Sequence, residues 1–204
     1  MDKPELFIVV GPNGSGKSSV LYESEISENL LFVNPDDVAR NDFSYIEDAD
    51  ERNYLAWKEC NAQRDAMLTR RITFGFETVG SHPSKLEFID QAHKFGYIVT
   101  VMFVATENPQ INIERIANRV SKGGHGVPDE KVISRHKRTL EMLYDYYSRA
   151  DNMTVWDNSI TSTDENAKTI KKLLIKASNK TVVFKHADEV AWFKTYLLDK
   201  IGVE

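Results

Sequence analysis

Short apolar runs alternate with longer segments of mixed polarity along the chain. The runs are rich in β-branched and aromatic residues and nearly continuous in apolar character, which is typical of parallel strands covered on both faces. The segments between them suit crossover helices. The runs predict five strands, at Leu6–Val10, Leu30–Asn34, Phe74–Thr78, Tyr97–Val104 and Met153–Trp156. The pattern therefore predicts an α/β protein with a doubly wound parallel sheet.

The connection between the second and third predicted strands, residues 34–74, is unusually long. It spends about 40 residues where βα and αβ loops are ordinarily short. Its apolar residues form a partial helical stripe, at Leu55, Ala56, Ala66, Met67 and Leu68. We interpret it as an insertion that lines a substrate site. The alternative is a helical packing layer without substrate contacts.

The last part of the chain predicts a packed extension of the same domain, over residues 160–204. Its expected elements are a lysine-rich helix from about Asp164 to Ala177, an apolar run at Thr181–Phe184 and a last helix near Val190–Ile201. We therefore treat residues 1–204 as a single domain.

The composition narrows the functional classes. The chain has 204 residues, of which 41% are hydrophobic and 28% charged, and this excludes a disordered protein. A net charge of -5 argues against a nucleic-acid partner, and no run reaches the ~20 apolar residues of a membrane span. The single cysteine, Cys60, lies in a predicted helix at Tyr54–Met67 and is interpreted as an apolar packing residue in a reducing compartment. We expect a cytoplasmic protein.

A phosphate-binding loop is the strongest motif in the chain. Residues 11–18 read Gly-Pro-Asn-Gly-Ser-Gly-Lys-Ser and match G-x-x-x-x-G-K-[ST] between a predicted strand and a predicted helix. The glycines let successive N–H groups point at a bound anion, and the helix start adds its positive dipole. Lys17 would bridge the outer phosphates of ATP, and the Ser18 hydroxyl would be a ligand of Mg²⁺. The predicted nucleotide-binding residues are Gly11, Asn13, Gly14, Ser15, Gly16, Lys17, Ser18 and Ser19.

A carboxylate follows the second predicted strand. Asp36 is the candidate general base for a phosphoryl acceptor, because functional groups collect at the carboxyl ends of strands in such sheets. Asp37 is not excluded for this role. Arg40 would hold the carboxylate or a charged acceptor. The alternative is that Asp36 only caps a helix.

The third predicted strand ends in Glu77 and Thr78, followed by Ser81 and His82. A carboxylate in an otherwise apolar strand needs a cation, a metal or several donors. We predict that Glu77 and Thr78 bind the acceptor or support magnesium. The alternative for Glu77 is a solvent-exposed strand end. We interpret His82 as a loop residue.

Two arginine-bearing helices, in residues 108–150, predict a lid. Arg115 and Arg119 share one helical face, and a glycine-rich turn at residues 123–128 separates them from Arg135 and Arg138. Guanidinium groups closing on the triphosphate would stabilise charge on the transferred group and exclude water. The alternative is that these arginines lie on exposed helix faces and contact only solvent.

Four elements in this order resemble the zeta toxin family. They are the phosphate loop, Asn34-Pro35-Asp36, Phe76-Glu77-Thr78, and Arg119 followed by Gly123-Gly124-His125-Gly126-Val127-Pro128 and Arg135. The likeness extends from about Leu6 to Asn158 and is strongest to short, stand-alone zeta-like ATPases of bacteria. It implies a P-loop fold of the adenylate-kinase type, ATP-dependent phosphorylation of a sugar hydroxyl, and UDP-N-acetylglucosamine as the best-known acceptor. It also implies a toxin neutralised by a separate antitoxin protein.

The resemblance carries over to individual residues. It implies that Lys17 and Ser18 bind phosphate and metal, that Asp36 is the acceptor base, that Glu77 and Thr78 lie in the acceptor site, and that Arg119 and Arg135 contact the triphosphate. The chain is shorter than the longer zeta toxins, and we find no match to the further acceptor-binding residues that they carry after the third strand. Two alternatives therefore stay open: a kinase of a nucleoside, nucleotide or other metabolite, and an ATP-binding switch that phosphorylates no acceptor.

Overall fold

A mixed seven-stranded sheet forms the centre of the computed structural model, which describes residues 3–23, 30–160, 171–186 and 190–202. The strand order is β2-β3-β1-β4-β5-β6-β7, and the first five strands are parallel. The strands are β1 Glu5–Val10, β2 Leu31–Val33, β3 Phe74–Thr78, β4 Ile98–Ala105, β5 Asn152–Asp157, β6 Lys172–Ser178 and β7 Thr181–Lys185. The predicted doubly wound sheet is confirmed, and two antiparallel strands extend it.

Helices cover both faces of the sheet. They are α1 Lys17–Glu23, α2 Pro35–Asp42, α3 Ala49–Arg70, α4 Ser84–Lys94, α5 Pro109–Ser121, α6 Asp129–Glu141, α7 Leu143–Arg149, and a C-terminal helix of α8 Ala191–Phe193, a π-helical segment Lys194–Leu198 and α9 Asp199–Ile201. No described helix is long and apolar enough to cross a membrane.

The core follows from the alternation of side chains along the strands. Leu6, Ile8 and Val10 of β1 enter the larger hydrophobic cluster, and Val9 enters a smaller one on the opposite face. The larger cluster also takes buried residues from α2, α3, α4, α6, α7 and the C-terminal helix. This burial on both faces explains why the strand segments are nearly continuous in apolar residues.

The long connection between β2 and β3 is helical, as predicted. Asn34 caps α2: its side chain accepts a hydrogen bond from the Asp36 backbone N–H at 2.9 Å, and Pro35 fills the first helical turn. Asp48 caps α3 in the same way, accepting from the Glu51 backbone N–H at 2.7 Å. The capping role proposed as the alternative for Asp36 is therefore filled by Asn34, and the Asp36 carboxylate is left for other contacts.

The prediction of a lysine-rich helix from about Asp164 to Ala177 is wrong for the residues that the structure describes. Residues 164–170 lie outside the described residues, and residues 172–178 form β6. Leu174, Ile175 and Ala177 of β6 are buried in the larger hydrophobic cluster, and the strand pairs with β5. A two-residue turn at Asn179–Lys180, both with positive φ, returns the chain into β7. Pairing with an existing sheet edge outweighs the local helical pattern here.

We expect Phe103→Ala to destabilise the fold by about 3–5 kcal/mol, because Phe103 is fully buried on β4 and its ring lies 6.3 Å from that of Tyr146. The control, Phe184→Ala, removes a side chain that is 44% exposed on the edge strand β7 and should cost less than about 1 kcal/mol. Urea unfolding of both variants measures the difference, and equal losses would contradict this description of the core.

Candidate active site

The phosphate loop connects β1 to α1 at the carboxyl end of the sheet. Gly14 and Gly16 have φ values of 77° and 85°, which side chains other than glycine rarely adopt. A Cβ on Gly11 would overlap the carbonyl oxygen of Val104. The Ser15 side chain is fully buried, and its hydroxyl has no hydrogen-bond partner among the described residues. The loop thus combines the backbone that a phosphate cradle needs with a buried donor available to a phosphate.

Two buried asparagines fasten the loop from neighbouring elements. Asn112 of α5 donates from Nδ2 to the Asn13 carbonyl at 2.8 Å, and Asn158, just after β5, donates from Nδ2 to the Ser15 carbonyl at 2.8 Å. Both side chains are buried, so these bonds form away from competing water. The sequence analysis missed both residues. The available signals were a polar residue inside the apolar stripe of α5 and an asparagine at the end of a strand.

A hydrogen-bonded chain connects the loop to the helices predicted as a lid. Thr106 donates from its hydroxyl to Asn112 Oδ1, and His136 Nε2 of α6 lies 2.9 Å from the Thr106 carbonyl. Burial lowers the pKa of His136, so the imidazole is neutral at pH 7 and donates from Nε2–H. Arg135, its neighbour, donates to Asn13 Oδ1 at 3.1 Å. Helices α5 and α6 are therefore attached to the phosphate loop through polar side chains.

Lys17, Ser18 and Glu77 form a polar cluster at the carboxyl ends of β1 and β3. Glu77 accepts from the Ser18 hydroxyl at 2.9 Å, and its other carboxylate oxygen lies 3.6 Å from Lys17 Nζ. Lys17 also donates to the Pro12 carbonyl at 2.9 Å. Burial lowers the pKa of Lys17, and Glu77 opposes that shift. Glu77 therefore has the cation and the donor that its predicted role required, and it is not a solvated strand end.

Asp36 and Asp37 differ in their surroundings although they are neighbours on α2. Asp36 lines a cavity together with Lys17, Ser18 and Glu77. Both residues are exposed, but Asp37 pairs with Arg40 at 3.3 Å. Arg40 therefore holds Asp37 instead of Asp36, although it lines a neighbouring cavity with Asp36. Of the two carboxylates, only Asp36, the sequence candidate, lines the cavity beside Lys17.

Two cavities meet at the Lys17–Ser18–Glu77 cluster. One, about 430 Å³, lies between the phosphate loop and α5 and is lined by Ser19, Arg115, Arg119 and Asn158, among others. The other, about 320 Å³, lies between the phosphate loop, α2 and α3, and contains Asp36 and Thr78. Both cavities are lined by Lys17, Ser18, Glu77 and Arg119. The arrangement can hold a nucleotide triphosphate on one side and a small acceptor on the other.

The predicted lid arginines occupy different positions. Arg119 lines both cavities and donates to the His125 carbonyl from Nε at 3.1 Å and Nη2 at 2.6 Å. Arg115 lies in the first cavity, where burial lowers its pKa and Asp157 opposes the shift. Arg135 reaches Asn13, whereas Arg138 donates to the backbone of its own helix. Arg135 thus contacts the phosphate loop, and Arg119 lines the cavities beside it. Closure of these arginines as a lid stays a prediction.

The remaining predicted residues lie at the turn after β3. Ser81 and His82 line an outer cavity beside Thr78 and Arg135. His82 Nδ1 accepts from the Ser84 backbone N–H at 3.2 Å, which fits its interpretation as a loop residue. Cys60 is fully buried, and burial raises the pKa of its thiol.

A sequence model of the zeta toxin family matches residues 1–191. The chain belongs to the zeta toxin family. No curated protein sequence matches it. Two solved structures of low sequence identity share its fold. The complex of AvrRxo1-ORF1 and AvrRxo1-ORF2 with ATP aligns at 13% identity and a TM-score of 0.67, over 98% of this chain and 63% of that one. The PezAT toxin–antitoxin system of Streptococcus pneumoniae aligns at 12% identity and a TM-score of 0.60, over 100% of this chain and 80% of that one.

We expect Asn112→Asp to weaken the binding of a non-hydrolysable ATP analogue to this zeta toxin family member by about tenfold. The substitution removes the donor to the Asn13 carbonyl and places a buried carboxylate against carbonyl oxygens, at a cost of about 1–3 kcal/mol. Gln110→Glu, an exposed change of equal charge on the same helix, is the control. Titration calorimetry gives both affinities, and equal affinity in the two variants would show that the Asn112 contact does not shape the loop.

Proposed function

We propose that this protein is a kinase that transfers the γ-phosphoryl group of ATP to a hydroxyl of a small acceptor, with a UDP-sugar such as UDP-N-acetylglucosamine favoured. The observation that carries the proposal is the Lys17–Ser18–Glu77 cluster in the wall between the two cavities. A phosphoryl group bound at that wall would be accessible from both the nucleotide side and the acceptor side. Family membership supports ATP as the donor and a sugar hydroxyl as the acceptor.

Each residue then has a defined task in the transfer. Asp36 accepts the proton of the acceptor hydroxyl, whose oxygen forms the new bond to the γ-phosphorus. The bond between that phosphorus and the bridging oxygen breaks, and the electron pair leaves with ADP. Lys17 and Arg119, which line both cavities, neutralise charge on the transferring group. Glu77 holds Lys17 and Ser18 in position through its two carboxylate oxygens.

The donor set at the cluster fits magnesium. Ser18 and Glu77 offer a hydroxyl and a carboxylate, which are oxygen ligands of the kind that Mg²⁺ takes alongside phosphate oxygens. The described residues contain no group of three or more acidic, histidine or cysteine side chains that could hold a metal by themselves. We propose that the ion arrives with the nucleotide. When bound, it supplies positive charge to the phosphate oxygens.

The proposed biological role is that of a toxin with a separate antitoxin. It is supported by family membership and by the likeness to a chain of the PezAT toxin–antitoxin system. The AvrRxo1 structure was solved with ATP, which supports the nucleotide assignment. Arg40, Glu77 and Thr78 are the proposed acceptor-binding residues, and Arg119 and Arg135 are the proposed lid contacts to the triphosphate.

We expect Asp36→Asn to lower the rate of phosphoryl transfer by about 10²–10⁴-fold, because the acceptor proton loses its base, while affinity for an ATP analogue stays within about twofold. Asp37→Asn is the matched control and should keep near-normal activity, since that carboxylate is exposed and lines neither of the two cavities at the cluster. The measurement is transfer of labelled γ-phosphate to a panel of UDP-sugars, nucleosides and nucleotides.

The panel also separates the alternatives. Labelling of a UDP-sugar supports the favoured acceptor, and labelling of a nucleoside or nucleotide alone replaces it with another kinase substrate. ATP binding without any labelled acceptor would reject the kinase and favour a nucleotide-binding switch. Equal loss in the Asp36 and Asp37 variants would remove Asp36 from the mechanism.

A further inference from the structure

The acceptor-side cavity carries two cations that the proposed transfer does not use. Arg64 of α3 and Lys85 of α4 line it opposite the phosphate loop. The cavity's other charged residues are Lys17, Arg119, Asp36 and Glu77. Its lining therefore has four cations and two carboxylates, and positive charge remains after Lys17 is matched with Glu77.

Arg64 is a buried cation without an ion pair among the described residues. Its guanidinium lies 4.7 Å from the centroid of the Phe76 ring and donates to the Asn61 side-chain oxygen. Burial lowers the pKa of Arg64, and Cys60 and Asp65 oppose the shift, although neither forms an ion pair with it in the described part of the chain. An amide and an aromatic face compensate only part of the desolvation of a buried cation.

Lys85 adds a second positive charge to the same wall. Its ammonium makes no hydrogen bond or ion pair with any residue that the structure describes. Burial and repulsion by Arg64 together lower its pKa to about 8, and Asp65 opposes the shift. Two cations that repel each other beside a cavity are stabilised when an anion binds between them.

An aromatic side chain borders the same space. Trp57 of α3 lines the acceptor-side cavity and the outer cavity, as do Lys85, Thr78 and Val79. The indole is 54% exposed and stacks with Tyr54 at 6.1 Å between ring centroids. The wall formed by α3 and α4 thus presents a flat apolar surface beside the two cations.

We propose that Arg64 and Lys85 form an anion-binding subsite for the acceptor, so that the preferred acceptor carries a phosphate or carboxylate group in addition to the hydroxyl that is phosphorylated. The proposal rests on the proposed kinase function, because that function defines the acceptor. The anion-binding subsite itself can be tested without phosphoryl transfer. The proposal assigns specificity for the acceptor to residues of α3 and α4, which lie outside the sequence motifs.

The first test is sulfate binding to the protein saturated with Mg²⁺ and a non-hydrolysable ATP analogue, followed by NMR at constant ionic strength. With the phosphate loop filled, we expect saturable sulfate binding that weakens about tenfold in Lys85→Met, because one charge-assisted hydrogen bond is lost. Lys94→Met, an exposed change at the other end of α4, should bind as wild type does. Arg64→Lys, which keeps the charge in the buried position, should weaken binding by a smaller factor.

The pH dependence has a defined sign. Sulfate keeps a constant charge, whereas Lys85 attracts it only while the lysine is protonated. The affinity for sulfate should therefore fall as the pH rises through about 8. Lys85→Met should lose this dependence. Equal sulfate affinity in wild type and Lys85→Met would overturn the subsite, as would sulfate binding seen only when the nucleotide is absent.

A second arm distinguishes the source of the anion. Glucose, glucose 6-phosphate and glucuronate are compared for displacement of sulfate from the nucleotide-loaded protein. Displacement by glucose 6-phosphate alone assigns a phosphate, displacement by both anionic sugars assigns either group, and displacement by glucuronate alone assigns a carboxylate. If neither anionic sugar displaces sulfate, or if glucose displaces it equally well, the proposal fails. Since no arm requires transfer, a failed kinase assay and a failed subsite are separate results.

Discussion

The structure of the site depends on keeping the buried ammonium of Lys17 charged. Removal of a cation from water costs several kcal/mol, and here the Glu77 carboxylate and the Pro12 carbonyl compensate for it. Glu77 is in position because β1 and β3 are adjacent and parallel, with Val9 opposite Glu77. The register of two core strands therefore sets the distance between the cation of the phosphate loop and its counter-ion.

The other contacts at this edge of the sheet keep the loop in the shape that this pairing requires. Asn112 and Asn158 bind its carbonyl groups from two different elements, and the chain through Thr106 and His136 extends that support to α6. Such hydrogen bonds are strengthened by the low dielectric of the protein interior. The contrast lies across the acceptor-side cavity, where Arg64 and Lys85 have no carboxylate within ion-pair distance in the described chain. The phosphate-loop side of the cavity therefore has a paired cation, whereas the cations on the side of α3 and α4 have no paired carboxylate among the described residues.

Local sequence signals predicted the parts of the fold in which each residue's neighbours are close in sequence. The apolar runs located the five parallel strands, and the glycine pattern located a loop whose positive φ values require glycine. β6 was mistaken for a helix because its pairing with β5 and its burial in the larger cluster depend on residues distant in sequence, which the local pattern does not contain. Asp36 was the sequence candidate for the base, but Asp37 was not excluded, since only the tertiary structure places one beside the cavity with Lys17 and pairs the other with Arg40. Arg64 and Lys85 were missed for the same reason: they lie on different helices and meet only in the folded chain.

The most direct test of this account is a crystal structure of the protein with Mg²⁺ and a non-hydrolysable ATP analogue. We predict that Lys17 Nζ leaves the Pro12 carbonyl for the outer phosphates, and that the γ-phosphate lies beside Glu77 at the wall shared by the two cavities, facing Asp36. A γ-phosphate directed away from the acceptor-side cavity, with Lys17 still bound to Pro12, would contradict it.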